Sequence, residues 1–212
     1  MIKPNLVVYE TVDWTTVAAS KSTASITWKA GDVIAVLASS EENTDTLSLP
    51  TATGLSFVAQ QTIDGIGFRC SSLGATAAAA SDGSGVVSMT ESAGVRWGFC
   101  LWVFRNSLGV GHSSQEYALS ITTSLMATAV DSAIVWGLFD FGAGPTHNLV
   151  PTPSNTRLST QLAGGYTFMV GDLLDQPLTT AVNYGVDAGS GFSIIAMEVQ
   201  GTGGSNTVRY MD

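Results

Sequence analysis

The fold of this chain is decided by residues 95–104, which read Val95-Arg96-Trp97-Gly98-Phe99-Cys100-Leu101-Trp102-Val103-Phe104. Side chains of a β-strand point alternately to the two faces of its sheet. Both alternating sets are apolar in this stretch, whereas a strand of an ordinary antiparallel sandwich has one polar face. The pattern therefore predicts a strand that is covered on both faces, by a loop, a helix or a second subunit.

A second stretch, Ser132–Phe141, has the same two-sided apolar pattern. Low charge favours cover by partner subunits, because charged residues are depleted at the buried centres of interfaces. We therefore expect a homo-oligomer in which exposed apolar faces of these two strands meet neighbouring subunits. The interface candidates are Arg96, Cys100, Trp102, Phe104, Ile134, Trp136 and Leu138.

Composition indicates one all-β domain. The chain has 212 residues with 23 glycines, and only 12% of its residues are charged, about half the usual share. Its net charge is −9, and its 8 basic residues are scattered, which disfavours binding to nucleic acid or to an anionic membrane. The start of the chain lacks a signal-peptide pattern and no apolar run reaches the ~18 residues of a membrane span, so we expect synthesis in a cytoplasm without export.

Short alternating runs separated by Gly, Asp, Asn, Ser and Pro predict strands and almost no helix. The predicted strands are Leu6–Asp13, Thr23–Trp28, Asp32–Ala38, Ser56–Thr62, Gly67–Leu73, Gly85–Thr90, Val95–Arg105, Glu116–Thr123, Ser132–Phe141, Thr156–Leu162, Tyr166–Leu173, Thr179–Val186 and Gly191–Gln200. The alanine-rich stretch Ala75–Ala80 is interpreted as a further strand. No internal repeat of fixed period is evident.

Long connections at Glu41–Leu55, Asn106–Gln115 and Gly142–Asn155 favour a jelly roll over an up-and-down barrel. The predicted fold is therefore a single jelly-roll-like antiparallel β-sandwich over residues 1–212. Within it, Met1–Asn5 is a candidate attachment arm, and the segment 142–155, with three prolines, is predicted to be an ordered loop.

The sequence offers little catalytic or metal-binding chemistry. Cys70 and Cys100 could pair, but their apolar surroundings favour two buried free thiols. The histidines, His112 and His147, lack neighbouring ligands at metal-binding spacing, and no metal or cofactor is expected. The acidic and hydroxyl residues of two Gly-rich turns fit turn geometry better than calcium binding; they are Asp82, Ser84, Asp187 and Ser190.

Carboxylate pairs and aromatic rings leave two alternatives open. A glycosidase would need paired acids, and the candidates are Glu41 with Glu42, Asp172 with Asp175, and the strand-borne Glu10, Glu116 and Glu198. The first pair lies in a polar loop and the second ends a strand, so no catalytic residue is predicted. A carbohydrate-binding module would need exposed rings; most aromatic residues fit a core, which leaves Trp14 and Tyr184 as the candidate glycan contacts.

Several short motifs together resemble the small jelly-roll virion structural proteins of tailed bacteriophages and related prophages, of the capsid decoration and minor tail type. The resemblance spans about Thr23 to Asp140, with a weaker match through Tyr166–Asp172 and the last strand. The motifs are Trp28 followed by Ala30-Gly31-Asp32 and Val33–Val36, Leu47-Ser48-Leu49-Pro50 before Gly54-Leu55-Ser56-Phe57, Val103-Phe104-Arg105, and Asp131-Ser132-Ala133-Ile134-Val135 with Asp140.

The resemblance implies a non-enzymatic structural protein located in the virion. A capsid decoration role fits better than a tail shaft, because the chain has no heptads and no fibrous repeat. Such a protein would self-associate, with a trimer implied by the resemblance, and would dock on the major capsid protein or other virion subunits. The alternative is a tail-associated structural or adhesin protein with a carbohydrate-binding sandwich.

Overall fold

The computed structural model describes residues 3–12, 14–41, 47–63, 70–117, 121–141, 148–161, 166–176, 180–187 and 192–201. Every helix-or-strand element among them is a β-strand, and the strands pair in an antiparallel manner. The predicted all-β antiparallel sandwich is therefore confirmed. The strands follow the β-branched and aromatic runs, which pack well on a pleated surface.

The first half of the chain forms one five-stranded sheet and a thin outer layer. Its strands are β1 (Asn5–Val12), β2 (Ser20–Ser22), β3 (Ile26–Trp28), β4 (Val33–Ser40), β5 (Val58–Ile63), β6 (Ser71–Ala78), β7 (Gly83–Gly85), β8 (Ser88–Thr90) and β9 (Trp97–Arg105). The sheet has the order β1-β9-β4-β6-β5. The outer layer consists of the pairs β2–β8 and β3–β7, with Thr51 bridged to Ser88.

The second half repeats this arrangement. Its strands are β10 (Gly109–Glu116), β11 (Thr122–Met126), β12 (Ser132–Phe141), β13 (Leu149–Val150), β14 (Asn155–Gln161), β15 (Tyr166–Gln176), β16 (Ala181–Val186) and β17 (Phe192–Gln200). The five-stranded sheet has the order β10-β17-β12-β15-β14, and the outer layer is β11-β16-β13.

The two halves follow the same strand path. If the five strands of each main sheet are numbered along the chain, both sheets have the order first-fifth-second-fourth-third. In both halves the chain crosses between main sheet and outer layer at equivalent points, as in a jelly roll. The jelly-roll-like path thus occurs twice in the described chain. This duplication lies in strand topology and leaves no sequence period, so the sequence alone does not reveal it.

Local irregularities repeat as well. Gly31 and Asp131 both have positive φ in the turn before the central strand of their half, and their amides donate to the carbonyls of Ala79 and Gln176. The first strand of each sheet is bulged at the same place, after Leu6 in β1 and after Val110 in β10. Strands β5 and β14 are also bulged at equivalent points. The two halves therefore share both their strand path and their irregularities, and β4 of the first sheet contacts β12 of the second.

Three apolar cores fill the spaces between four layers. The inner core lies between the two five-stranded sheets and takes side chains from both halves, such as Trp102, Val135 and Met197. One outer core lies between the first sheet and its outer layer, and the other lies between the second sheet and its own outer layer. Each central strand therefore buries both of its faces.

This layering explains why two strands are apolar on both faces. It also corrects the expectation that partner subunits cover their second face. In β9, Trp102 faces the inner core and Leu101 faces the outer core of the first half. In β12, Val135 faces the inner core and Trp136 faces the outer core of the second half. The cover on the second face comes from short strands and loops of the same chain, and partner subunits are not needed for it.

Some predicted segments differ from the structure. The segment Asn106–Gln115, predicted to be a connection, contains most of the edge strand β10. The sequence of this strand has one large apolar residue, Val110, so it lacks the alternation that predicts a strand. The proline-rich segment contains β13, while residues 142–147 lie outside the described residues. Of the candidate arm, Met1 and Ile2 also lie outside them, and Pro4 is buried. The stretch Ala75–Ala78 belongs to β6, as predicted.

Close packing between the two main sheets depends on a large residue opposing a small one. A Cβ on Gly137 would lie 3.3 Å from the Leu37 Cδ1 atom of the facing strand. A Cβ on Gly74 would lie 2.8 Å from Ile195 Cγ2 and 3.0 Å from Met197 Sδ. These distances leave no room for a methyl group between the sheets.

We expect Gly74→Ala to lower the free energy of unfolding by about 1–3 kcal/mol, the usual cost of overpacking a core. Gly85→Ala is the matched control, because its Cβ would meet only Trp28 Cη2 at 3.7 Å. Urea unfolding of both variants measures the difference. Equal stability of the two would contradict the tight inner core.

Candidate functional site

The residues predicted to form an interface lie inside the molecule. Six of them are fully buried; these are Cys100, Trp102, Phe104, Ile134, Trp136 and Leu138. The seventh, Arg96, is about three-quarters buried and its Nε donates to Glu41 Oε1 at 2.8 Å. These seven residues therefore form no exposed docking surface, because the chain folds its own strands over them.

The two rings predicted to be exposed are also buried. Trp14 stacks on Phe168 with ring centroids 3.7 Å apart and on Phe139 with centroids 5.8 Å apart. All three rings belong to the inner core. Tyr184 lies 5.2 Å from Trp136 in the outer core of the second half and accepts a hydrogen bond from Gln176. Neither ring can stack on a sugar, which corrects their assignment as glycan contacts.

Asp172 is the centre of a buried cluster that joins the two sheets. Its carboxylate is fully buried and accepts from Trp102 Nε1 at 3.0 Å, from Asn155 Nδ2 at 2.9 Å and from the Arg157 guanidinium. Arg157 also lies over the Tyr9 ring, which packs on Trp102. Asp172 thus ties β9 of one sheet to β14 and β15 of the other. At the equivalent place in the first half, Gln60 donates to Thr76.

Glu198 is a second buried acid with a structural environment. It accepts from the amides of His112 and Thr128 at 3.0 and 2.9 Å, and from the Ser132 and Thr128 hydroxyls at 2.7 and 2.9 Å. These bonds fasten β10 and the turn before β12 to β17. The sequence contains a signal for this buried acid, because Glu198 interrupts the apolar run Ile194–Val199 of β17.

The remaining acids of the suspected pairs do not form a catalytic pair in the described chain. Asp175 is exposed and forms an ion pair with Lys3 at 2.6 Å, which lowers the pKa of its carboxyl. Glu116 is exposed, Glu10 is half-buried on β1, and Glu42 lies outside the described residues.

Both cysteines are buried free thiols, as predicted. Burial raises the pKa of Cys100 to about 11, although Tyr9 and Thr11 hydroxyls lie within hydrogen-bond distance of its sulfur. Burial likewise raises the pKa of the Tyr184 phenol to about 12. These groups stay protonated at neutral pH, and a protonated thiol is a poor nucleophile.

The histidines and turn acids have ordinary surroundings. His112 is exposed with its Nδ1 2.9 Å from the Met126 carbonyl, while His147 and Ser190 lie outside the described residues. Asp82 and Asp187 accept backbone amides of neighbouring turns. Across the described ranges, no three acidic, His or Cys side chains converge to hold a metal ion. The same residues include no helix suited to crossing a membrane.

Two shallow clefts lie on the surface of the first half. One, of about 390 Å³, is lined by Thr51, Ala52, Thr53, Val86 and Ser88 on the outer layer. The other, of about 380 Å³, lies at one end of the sandwich and is lined by Lys29, Ala30, Gly31, Asp32, Arg105, Asn106 and Ser107. The first is weakly polar and the second contains two cationic side chains.

The chain matches no family model, no curated protein and no solved structure.

We expect Glu198→Gln to lower the free energy of unfolding by about 2–4 kcal/mol, because the amide nitrogen would face donors that need an acceptor. Chemical denaturation measures the change. Glu116→Gln on the exposed side of β10 is the matched control and should leave stability almost unchanged. If Glu198→Gln is as stable as the unchanged protein, the hydrogen bonds to Glu198 contribute little to stability.

Stability should fall at alkaline pH because of Cys100. The folded state holds the thiol proton more tightly than the unfolded state, whose pKa is near 9.0. The stabilising contribution is therefore complete below pH 9 and is lost as pH rises towards 11, by about 1 kcal/mol at pH 10. Between pH 7 and 10.5, the urea midpoint should fall less steeply for Cys100→Ala than for the unchanged protein. Parallel curves for the two proteins would show that Cys100 does not cause the loss of stability.

Proposed function

We propose that this chain is a structural protein of a bacteriophage virion, most closely a capsid decoration protein that self-associates and docks on the capsid. The sequence resemblance suggests this role. The observation that carries a structural role over a catalytic one is the use of the buried acids: Asp32, Asp172 and Glu198 each receive several donors from neighbouring strands. Such acids stabilise a scaffold and have little capacity left for proton transfer.

The docking surface in this proposal lies on the outside of the four layers. The first half exposes apolar side chains there, with Val86 at 49% and Leu49 at 43% exposure, and Val86 lines the cleft beside Thr51. A decoration protein that binds only the assembled lattice stabilises that lattice by mass action. Self-association, with a trimer as the first model, would use the same outer surface.

The carbohydrate-binding alternative is not carried forward. It depended on exposed rings at Trp14 and Tyr184, and both are buried. Tyr117 is 57% exposed, but all five tryptophans are buried, which favours a protein contact over a glycan platform.

The test is co-sedimentation of the purified protein with capsids assembled from the shell protein of the same phage genome. We expect saturable binding and a higher capsid melting temperature. Val86→Asp should weaken binding at least about tenfold, as when a charge is placed in an apolar contact. Val58→Asp, on the edge strand β5 and at least as exposed as Val86, is the matched control. No binding to shells, together with absence of the chain from purified virions by mass spectrometry, would overturn the proposal.

A further inference from the structure

The cleft at the end of the first half has more hydrogen-bond donors than acceptors. The Asp32 carboxylate is 99% buried and already accepts from the Lys29 amide and from Arg105 Nε and Nη2. Lys29 Nζ makes one ion pair, with Asp82 at 2.8 Å, and its other protons point to no acceptor in the described part of the chain. The Ser107 hydroxyl is buried and makes no hydrogen bond.

Arg105 is held in a fixed orientation by its two bonds to Asp32, at 3.1 and 2.9 Å. This arrangement leaves Nη1, on the other side of the guanidinium, without an acceptor among the described residues. A guanidinium fixed in this way loses little further entropy when it binds an oxyanion. The left-handed backbone of Asn106, with φ of 60°, places Ser107 on the same side of the cleft.

The second half supplies an internal control for this site. Its equivalent turn has the same positive φ and the same amide-to-carbonyl bond, at Asp131 in place of Gly31. There, Ala129 and Gln200 stand where the first half has Lys29 and Arg105, as the strand registers show. The backbone of the turn therefore does not require these two cations, although Arg105 also balances the buried Asp32, which stands where the second half has Ser132. The two cations are additions to the first half, in a chain with a net charge of −9.

We propose that this cleft, lined by Lys29, Arg105 and Ser107, is a binding site for a small oxyanion. The two cations and the unpaired hydroxyl would donate to its oxygens, as in charge-assisted recognition of phosphate or carboxylate groups. Either a phosphoryl group or the carboxylate of an acidic sugar or side chain has this chemistry. The site is independent of the virion role, because it would operate in the free protein.

The experiment is a titration of the full chain, labelled with nitrogen-15, with inorganic phosphate and separately with acetate at constant ionic strength. We expect saturable amide shifts at residues 30–32 and 106–107, with millimolar affinity. Tighter binding of phosphate would identify a phosphoryl ligand, and tighter binding of acetate a carboxylate ligand. Shifts that do not saturate, or that spread over other surfaces, would overturn the site.

Three variants make the test specific. Lys29→Gln should weaken binding about five- to tenfold, the usual effect of losing one ordinary hydrogen bond, because Lys29 is exposed, and Ser107→Ala should weaken it about two- to fivefold. Lys3→Gln is the matched control, because Lys3 is an exposed lysine paired with Asp175 at 2.6 Å. An equal loss in Lys29→Gln and Lys3→Gln would show general charge screening and would refute the cleft as a site.

Discussion

The structure depends on an inner core that the two halves of the chain must build together. Each five-stranded sheet presents one apolar face to the other, and the core between them takes Leu37 and Trp102 from the first half and Val170 and Met197 from the second. Burying a large apolar side chain contributes roughly 1.5–3 kcal/mol, and neither half can bury this face alone. The short outer strands cover the other face of each main sheet. The strands β4, β9, β12 and β17 therefore have no solvent-exposed face.

Buried polar groups are placed where this layered packing needs to be held in register. Asp172 joins the two sheets, and Glu198 fastens a turn and an edge strand to β17. A carboxylate in such surroundings is tolerated only when donors replace its lost hydration. The acids Asp172 and Glu198, which the sequence offers as catalytic candidates, are bound by donors from neighbouring strands and hold those strands together.

The duplicated strand path separates what the fold requires from what one half has added. Positions that match between the two halves by strand order and register carry similar backbone features but different side chains, as at Gln60 with Thr76 and Arg157 with Asp172. The cations Lys29 and Arg105 are additions of this kind. The faces of the central strands, in contrast, are covered within the chain itself and offer no free surface.

The sequence by itself determined the all-β class, the two-sided burial of Trp97–Phe104 and Ser132–Phe139, and the two buried thiols, because side-chain alternation and turn chemistry are local properties. It did not determine what covers the second face, since a loop of the same chain and a partner subunit demand the same apolar pattern. It also hid the duplication, because strand order arises from pairings between distant residues and needs no sequence repeat. Only the tertiary structure decided that Trp14 and Tyr184 are buried, since their exposure depends on which distant strands pack against them.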